Sequence, residues 1–354
     1  MTQKPPPRPP LPRHRVAAAV DRSARDLTAR SAVPVIEGKW WGDGLYALHA
    51  AELDRLEERF PDDVTMLWYQ EPGYETAPGT NPEYRFGYLD DYSTAEVHGT
   101  GRTRVLLADW ADLDRFLAHL PDPNEPGNFD AVRARAAAAG SGRYRIGCWW
   151  RLFHERFWAI RGMENMMLDY YDAMPELKRL GGALLGFYRV IIRRFAEHGC
   201  DAIFSSDDLG HQRGPMMSPE HFRELYLPLY RAFCDEVHAH GMRFILHSCG
   251  DNSLLLDDLI AAGVDVFHPV QKGTMDLPAA AERWGGRISF LVGFDVQHSL
   301  IHSSPEAIRA EVGELRRCFQ RPEGGLLLGM GNGILPGTPI ANIEAALEAM
   351  YDSD

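Results

Sequence analysis

Stretches rich in β-branched and aromatic residues alternate with helical patterns along almost the whole 354-residue chain. Several of them are continuously apolar and bounded by turn residues, which is typical of parallel strands buried on both faces. A Ser-Pro-Glu sequence at Ser218 and at Ser304 marks two helix starts and predicts helices over Pro219–His240 and Pro305–Phe319. The predicted strands are Val33–Gly38, Thr65–Gln70, Tyr144–Trp150, Asp201–Ser206, Arg243–His247, Val264–Val270, Ile288–Gly293 and Leu326–Gly329.

This alternation predicts an α/β fold, a single (β/α)8 TIM barrel, in preference to an open doubly wound sheet. The segment between the second and third predicted strands, Pro72–Asn128, is too long for a simple strand-to-helix connection. It contains a hairpin-like stretch, Tyr84–Leu107, and a short helical pattern, Asp109–Leu120. We therefore expect an insertion over the mouth of the barrel.

The first 15 residues contain six prolines, a composition that cannot bury apolar surface. They predict a disordered Pro-rich arm over residues 1–15, followed by one barrel domain over residues 16–354. The net charge of -13 argues against nucleic acid and anionic membranes as partners, because both would repel the chain at long range. A small-molecule substrate is the expected partner.

The sequence also bears on the compartment. It has no apolar run long enough for a transmembrane helix or a secretory signal. Its five cysteines are widely spaced and form no CxxC, as expected of reduced thiols in an intracellular enzyme. We expect a cytoplasmic protein. The oligomeric state stays open, with a homodimer as one alternative.

Polar and aromatic side chains follow the predicted strands, where a (β/α)8 barrel forms its active site. Such groups would be costly to bury without partners, so we expect them to face a shared mouth. The catalytic candidates are Asp207, Asp208 and His268. The substrate-binding candidates are Glu37, Trp40, Trp41, Trp149, Trp150, Arg151, Gln271, Asp295 and Asn332.

The sharpest pattern is His247-x-Cys249 at the end of the fifth predicted strand. Residues two apart in an extended segment point to the same side, so the imidazole and the thiol can share a Zn²⁺ ion. A catalytic zinc site needs a third protein ligand, for which Asp207, Asp208, Gln271 and Asn332 are available. We prefer Asp208, because a carboxylate is a better zinc ligand than an amide. In the alternative, the two aspartates bind Arg213 or a substrate hydroxyl.

Two tryptophan pairs, Trp40-Trp41 and Trp149-Trp150, lie at predicted strand ends. Indole rings offer flat apolar walls and one hydrogen-bond donor each, which suits a planar or sugar-like ligand. Alternation along a strand allows one member of each pair to face the pocket while the other packs behind it. Ordinary core packing is the alternative for each ring.

Four segments together resemble the uroporphyrinogen decarboxylase-like superfamily. They are DDLGHQRGPMMSPEHFRELYLPLY from Asp207, ILHSCGD from Ile245, VDVFHPVQ from Val264 and GNGILPGTPIANIEAAL from Gly331. The resemblance implies a (β/α)8 barrel and one of two chemistries. These are metal-free decarboxylation of tetrapyrrole acetate groups and zinc-dependent methyl transfer from methylated corrinoid proteins to thiols. The cobalamin-independent methionine synthases, which are more distantly similar, also use an HxC zinc pair.

The sequence departs from both branches of that superfamily. Uroporphyrinogen decarboxylases carry an Arg-Gln-Ala-Gly-Arg-Tyr segment that holds the substrate carboxylates, whereas the matching region here is PVIEGKWWGDG. The thiol methyltransferases place a cysteine, their third zinc ligand, where this chain has Asn332. A zinc site without that thiolate would carry more positive charge and act as a stronger Lewis acid.

Three functions follow from these observations. The preferred hypothesis is a zinc-dependent group-transfer enzyme that transfers a methyl group to or from a small-molecule acceptor, with a corrinoid as one candidate methyl donor. The metal activates the acceptor, and Asp207 or Asp208 acts as a general base or binds the substrate. The second is a metal-independent decarboxylase in which Arg151, Arg161 and Arg213 hold carboxylates. The third is a non-catalytic barrel that binds a ligand or a corrinoid protein.

Overall fold

The computed structural model describes residues 7–24, 33–42, 44–69, 105–124 and 126–352. Within these residues a seven-stranded parallel sheet has the order β1-β2-β3-β6-β7-β8-β9, and β4 and β5 form a separate small hairpin. The strands are β1 Val64–Trp68, β2 Tyr144–Trp149, β3 Ala202–Ser206, β4 Gly210–His211, β5 Gly214–Pro215, β6 Arg243–His247, β7 Val266–His268, β8 Ser289–Phe294 and β9 Leu326–Met330. The prediction of a largely parallel α/β fold is confirmed.

The first predicted strand, Val33–Gly38, is reduced to a single parallel bridge between Val35 and Leu328 of β9. Ile36 N–H donates to the Leu328 carbonyl, and Leu328 N–H donates to the Pro34 carbonyl. The run stays short because Pro34 has no N–H and because Glu37 adopts a positive φ of 55°. Seven of the eight predicted strands therefore form as strands.

The sheet is curled, and the side chains on its inner face form one apolar cluster. This cluster contains at least one residue from each of the seven strands, from Val64 of β1 to Leu327 of β9, and also Ile36. Val16 and Val20 of the first helix complete it. The alternate side chains of the strands belong to a second, larger core shared with the surrounding helices.

Helices connect the strands and cover the outside of the sheet. They are α1 Arg13–Val20, α2 Leu45–Arg59, α3 Leu113–Ala118, α4 Asp130–Ala139, α5 His154–Arg161, α6 Met163–Asp172, α7 Met174–Glu197, α8 Pro219–His221, α9 Leu227–Ala239, α10 Leu256–Ala262, α11 Leu277–Trp284, α12 Ser299–His302, α13 Pro305–Phe319 and α14 Ile340–Met350. A π-helical turn, Phe222–Tyr226, joins α8 to α9. None of the described helices is both long and apolar enough to cross a bilayer.

The two helices predicted from Ser-Pro-Glu begin where expected. Ser218 and Ser304 accept hydrogen bonds from the N–H groups of His221 and Ala307, three residues further on. The range predicted as one helix, Pro219–His240, contains the π-helical turn in its first third. The hairpin-like stretch Tyr84–Leu107 lies almost entirely outside the described residues, whereas the Asp109–Leu120 pattern forms a 3-10 turn, Trp110–Asp112, followed by α3.

The N-terminal segment is ordered from residue 7, in contrast to the arm expected over residues 1–15. Arg8 is 4% exposed and forms a two-pronged ion pair with Asp63, with N–O distances of 2.7 and 2.6 Å. Asp63 also accepts hydrogen bonds from the N–H groups of Leu11 and Val35. Composition predicted disorder because this segment buries little apolar surface, but a buried charge pair fixes it instead.

Candidate functional site

Asp208, His247 and Cys249 converge at the carboxyl end of the sheet. Strands β3 and β6 are neighbours, with Ser206 paired to His247, so the residues that follow each strand meet at the same edge. His247 Nε2 lies 3.3 Å from Cys249 Sγ and 3.6 Å from Asp208 Oδ1. The ligand atoms of the three residues all lie within 4.8 Å of one another. The two metal candidates of the HxC pattern and the preferred third ligand are therefore brought together.

The loop after β6 is held in one shape by hydrogen bonds. Cys249 N–H donates to Asp208 Oδ1 at 2.8 Å, and Gly250 N–H donates to Gln271 Oε1 at 2.8 Å. Gly250 has φ 84°, and a Cβ at this position would lie 2.3 Å from the backbone of Gly210. Only glycine fits this close backbone approach. The thiol of Cys249 is thereby aimed at His247.

A chain of two histidines determines which nitrogen of His247 is free. His268 Nε2 lies 3.0 Å from the Met330 carbonyl, which can only accept, so this nitrogen carries the proton. Burial, together with His247, holds the pKa of His268 well below its ordinary value, so its Nδ1 is an acceptor. His247 Nδ1, 2.7 Å away, must then donate. The lone pair of His247 is left on Nε2, facing Cys249 and Asp208.

The donor set suits a divalent cation such as Zn²⁺. It offers one imidazole nitrogen, one sulfur and one carboxylate oxygen, and three protein ligands leave a fourth position for water or substrate. Burial lowers the pKa of His247 to about 4, which keeps the imidazole neutral. Without a cation, burial and the Asp208 carboxylate raise the pKa of Cys249 well above its usual range. The imidazole nitrogen, the sulfur and the carboxylate oxygen thus face one point, where a bound cation would stabilise all three.

Asn332 lies beside this cluster. Its Oδ1 accepts from Gly333 N–H at 2.7 Å, so its amide Nδ2 is turned toward Cys249 Sγ, 3.7 Å away. An amide nitrogen that donates toward sulfur is not a metal ligand. The third group that the structure brings to His247 and Cys249 is the Asp208 carboxylate, from the loop after β3.

Asp207 is completely buried and serves the start of α5. Its carboxylate accepts hydrogen bonds from the N–H groups of Phe153, His154 and Glu155, at 2.8 to 3.1 Å, and from the Tyr230 hydroxyl at 2.6 Å. Burial raises its pKa to about 6, although these four donors act in the opposite direction. The structure does not bring Asp207 to the cluster formed by its neighbour Asp208.

The tryptophan pairs divide between the site and the core. Trp40 and Trp150 stack on each other, with ring centres 5.4 Å apart, and both lie edge-on to His247 at 5.7 and 6.0 Å. Trp149 is 1% exposed and stacks on Tyr188 behind the sheet. Trp41 donates from Nε1 to Glu57, away from the cluster. One member of each pair is therefore available to a ligand.

Cys249 also borders a pocket of about 350 Å³, a volume that includes space open to solvent. Gln271, Asp295 and Asn332 line it, as does Lys272. The Asp295 carboxylate accepts from the N–H groups of Gln297, His298 and Ser299, so it shapes the loop before α12. Burial raises the pKa of Asp295, but these amides outweigh it and hold the pKa below the usual range.

Glu37 and Arg151 lie at strand ends but outside the cluster. Burial, and then the Asp62 carboxylate, raises the pKa of Glu37 to about 7. Arg151 is 7% exposed with φ 68°, and its N–H donates to Ser206 Oγ at 2.9 Å. Arg151 is also the cation that lowers the pKa of Glu155, which places the two side chains near each other.

The sequence analysis missed Glu155. This residue lies in the first turn of α5, accepts a hydrogen bond from Ser206 Oγ, and is 9% exposed. Burial raises its pKa to about 8, and the charges of Asp208 and Asp207 act in the same direction. The predicted site residues at this strand end extend only to Arg151. Glu155 lies four residues further on and is part of no recognisable motif.

Trp68, the last residue of β1, was also missed. Its ring centre lies 5.1 Å from that of Trp150, so it extends the aromatic surface beside His247. The signal was present in the sequence, because Trp68 lies near the end of the second predicted strand, but only the adjacent tryptophan pairs were considered.

Comparison with known proteins identifies the family. The sequence profile described as uroporphyrinogen decarboxylase (URO-D) matches residues 158–353, more than half of the chain. The chain belongs to the URO-D family. This confirms the resemblance expected from the motifs at Asp207, Ile245, Val264 and Gly331.

Two kinds of curated relative are similar to this chain. A methylated-thiol–coenzyme M methyltransferase of Methanosarcina mazei is 28% identical over 194 residues, 55% of this chain and 49% of that protein. A uroporphyrinogen decarboxylase of Xanthomonas axonopodis pv. citri is 30% identical over 145 residues, 39% of this chain and 40% of that protein. The chain thus matches half or less of the length of these relatives. Both relatives are named as enzymes, one a methyltransferase and the other a decarboxylase.

The overall fold also has a solved counterpart. A structure described as a methyltransferase from Methanosarcina mazei superimposes with a TM-score of 0.66 over 96% of this chain and 97% of its own, at 18% sequence identity. At this identity the likeness concerns the fold alone. The fold likeness spans more of the chain than the family profile does.

Proposed function

We propose that this URO-D family member is a zinc-dependent methyltransferase that moves a methyl group from a methylated corrinoid to a small-molecule thiol or hydroxyl. The observation that carries the proposal is the convergence of Asp208, His247 and Cys249, with ligand atoms within 4.8 Å. The relationship to a methyltransferase of Methanosarcina mazei supports the same reaction class. A zinc ion held by these three residues would supply a Lewis acid that lowers the pKa of the acceptor thiol or hydroxyl.

The protein side chains prepare the site for this role. His268 directs the lone pair of His247 toward the cluster, and Cys249 N–H orients the Asp208 carboxylate. Trp40 and Trp150 lie edge-on to His247 and form an apolar wall on one side of it. A zinc ion held by Asp208, His247 and Cys249 would keep one ligand position for the acceptor. Glu155, a buried carboxyl group whose pKa is raised by burial and by the Asp208 charge, is a candidate to exchange a proton with the site.

The arrangement argues against a decarboxylase of polycarboxylate substrates. Of the arginines considered for that role, Arg161 is bound to Asp169 by two hydrogen bonds of 2.7 and 3.0 Å and lies against Trp110. Arg213 is exposed on the hairpin of β4 and β5. The Asp208 carboxylate at the site would repel a substrate that carries several negative charges.

We also infer that the curled sheet closes as a (β/α)8 barrel, with residues 33–38 in the eighth strand position. This segment is bonded to β9 through Val35 and Leu328, and Asp63, just before β1, accepts from Val35 N–H. Helix α1 contacts both β2 and β9 from below. A closed barrel would place all predicted strand ends around one mouth.

The reaction is tested with methylcob(III)alamin as donor and a small thiol as acceptor. The zinc-loaded protein is expected to form the methyl thioether, and removal of the metal with a chelator is expected to abolish it. Cys249→Ala and Asp208→Asn should lose activity together with zinc. Release of carbon dioxide from a carboxylic acid by the chelator-treated protein, without methyl transfer, would establish the decarboxylase alternative instead.

A further inference from the structure

Three tryptophans from separate elements form a continuous surface beside the candidate metal cluster, here called the tryptophan shelf: Trp40, Trp68 and Trp150. Trp150 is the middle ring. Its centre is 5.4 Å from that of Trp40 at an interplanar angle of 21°, and 5.1 Å from that of Trp68 at 34°. Trp40 is therefore stacked on Trp150, and Trp68 is tilted against it, so a ligand ring would bind on the indole surface that these neighbours leave uncovered.

The shelf rests on the inner core of the sheet. Phe204 of β3 meets Trp150 edge-on at 5.7 Å and Trp68 at 6.4 Å, and Phe204 itself is fully buried. An edge-to-face contact from below fixes the tilt of the two indoles. The shelf is thus a preformed surface, which lowers the entropic cost of binding a ligand on it.

Two of the three rings are open to solvent. Trp68 and Trp150 are each 36% exposed. Burial of an aromatic side chain removes a large apolar area from water, so exposed indole rings are unfavourable unless they have a function. Exposed aromatic surface that adjoins a polar cluster is a mark of a ligand site. Trp150 also lies 6.0 Å from the His247 ring, so a ring stacked on the shelf lies next to the cluster.

We propose that the tryptophan shelf binds the methyl acceptor as a planar aromatic ring whose thiol or hydroxyl group points at Asp208, His247 and Cys249. This inference rests on the proposed function and specifies its substrate class, an aryl thiol or a phenol. In the reaction, the acceptor S–H or O–H proton passes to solvent, and the sulfur or oxygen forms a bond to the methyl carbon. The cobalt–carbon bond of the methylated corrinoid breaks, and its electron pair stays on cobalt.

Calorimetric binding to the metal-free protein tests the aromatic preference apart from the chemistry. The probes are 2-naphthol and its saturated counterpart decahydro-2-naphthol, which has a similar size and the same hydroxyl but no flat π-face. We expect naphthol to bind about tenfold more tightly. Trp150→Leu should remove that preference and Trp150→Phe should keep most of it. Trp284→Phe, a tryptophan of α11 outside the site, serves as the control.

The outcomes separate this inference from the proposed function. Equal binding of the two probes, an unchanged preference in Trp150→Leu, or tighter binding of a monosaccharide than of naphthol would overturn the aromatic site. If Trp150→Leu does not fold, the same comparison is made with Trp68→Leu and Trp68→Phe. If the protein binds zinc but shows no aromatic preference, only the proposed aromatic site is wrong. If it shows an aromatic preference but binds no zinc, the proposed metal-dependent reaction is wrong.

Discussion

The backbone N–H of Cys249 donates to the Asp208 carboxylate across 2.8 Å, and this bond ties together two loops that follow neighbouring strands. One carboxylate oxygen thereby lies 3.6 Å from His247 Nε2. The adjacent aspartate, Asp207, turns the other way and binds the first turn of α5. Two consecutive aspartates thus have separable roles, which mutation can distinguish.

Asp207→Asn is expected to destabilise the protein by about 3 kcal/mol, because an amide cannot accept from all four donors and is itself buried. Asp208→Asn, a matched change one residue away, should cost less stability but weaken metal binding. Urea unfolding measures the first effect and zinc titration the second. Equal loss of stability in the two variants, with unchanged zinc affinity, would show that the roles were wrongly divided.

His268 is expected to act through His247. His268→Ala removes the acceptor that keeps the proton on His247 Nδ1, so zinc affinity should fall by about 10- to 100-fold. His268→Gln, whose amide oxygen can accept the same hydrogen bond, should recover part of that loss. Competition with a chelating indicator measures affinity, and ¹⁵N NMR of the metal-free protein reports the tautomer. If His247 carries its proton on Nε2 in the unaltered protein, the proposed histidine chain is incorrect.

Buried His154 is expected to lower the free energy of unfolding in acid. Burial lowers its pKa to about 3, so the unfolded chain, with a histidine pKa near 6.5, takes up a proton that the folded chain does not. The free energy of unfolding should therefore fall as the pH drops below about 6.5, by about 1.4 kcal/mol per pH unit from this residue alone.

Urea unfolding at pH 7, 6 and 5 tests this contribution. His154→Gln should flatten the pH dependence by about that amount, whereas His14→Gln, an exposed residue of α1, should leave it unchanged. Identical slopes for His154→Gln and the unaltered protein would mean that His154 is not held neutral in the fold.

The buried pair of Arg8 and Asp63 is expected to hold the N-terminal segment and residues 33–38 against the sheet. Asp63→Ala should cost about 3–5 kcal/mol, because it leaves the Arg8 guanidinium buried without its partner. Arg13→Ala breaks an ion pair with Asp201 in which the Arg13 side chain is 41% exposed, and should cost at most about 1 kcal/mol. Comparable losses in the two variants would argue against this closure of the fold.

Much of the fold could be predicted because buried parallel strands have continuous apolar sequences, which can be recognised locally. Arg243–His247 forms as predicted, and Leu326–Gly329 is extended by only one residue. The prediction of the first strand was wrong because Pro34 and the positive φ of Glu37 limit its pairing with β9 to one bridge. The order of residues 7–15 was missed because an ion pair between Arg8 and Asp63, 55 positions apart, leaves no local pattern.

The proximity of His247 and Cys249 was predictable because a short motif and strand geometry agree there. Asp207 and Asp208 could not be told apart from sequence, because the difference lies in which neighbouring amide groups each carboxylate meets. Glu155 could not be found, since it comes from a helix that packs back toward the strand ends. Such convergence depends on tertiary structure alone.

The most direct test of the candidate zinc site is the metal content of the purified protein by elemental analysis, on the unaltered chain and on Cys249→Ala, Asp208→Asn and Asn332→Ala. We expect about one zinc per chain, lost on substitution of Cys249 or Asp208 and retained on substitution of Asn332. A fully active protein without metal, or zinc retained in Cys249→Ala, would contradict it.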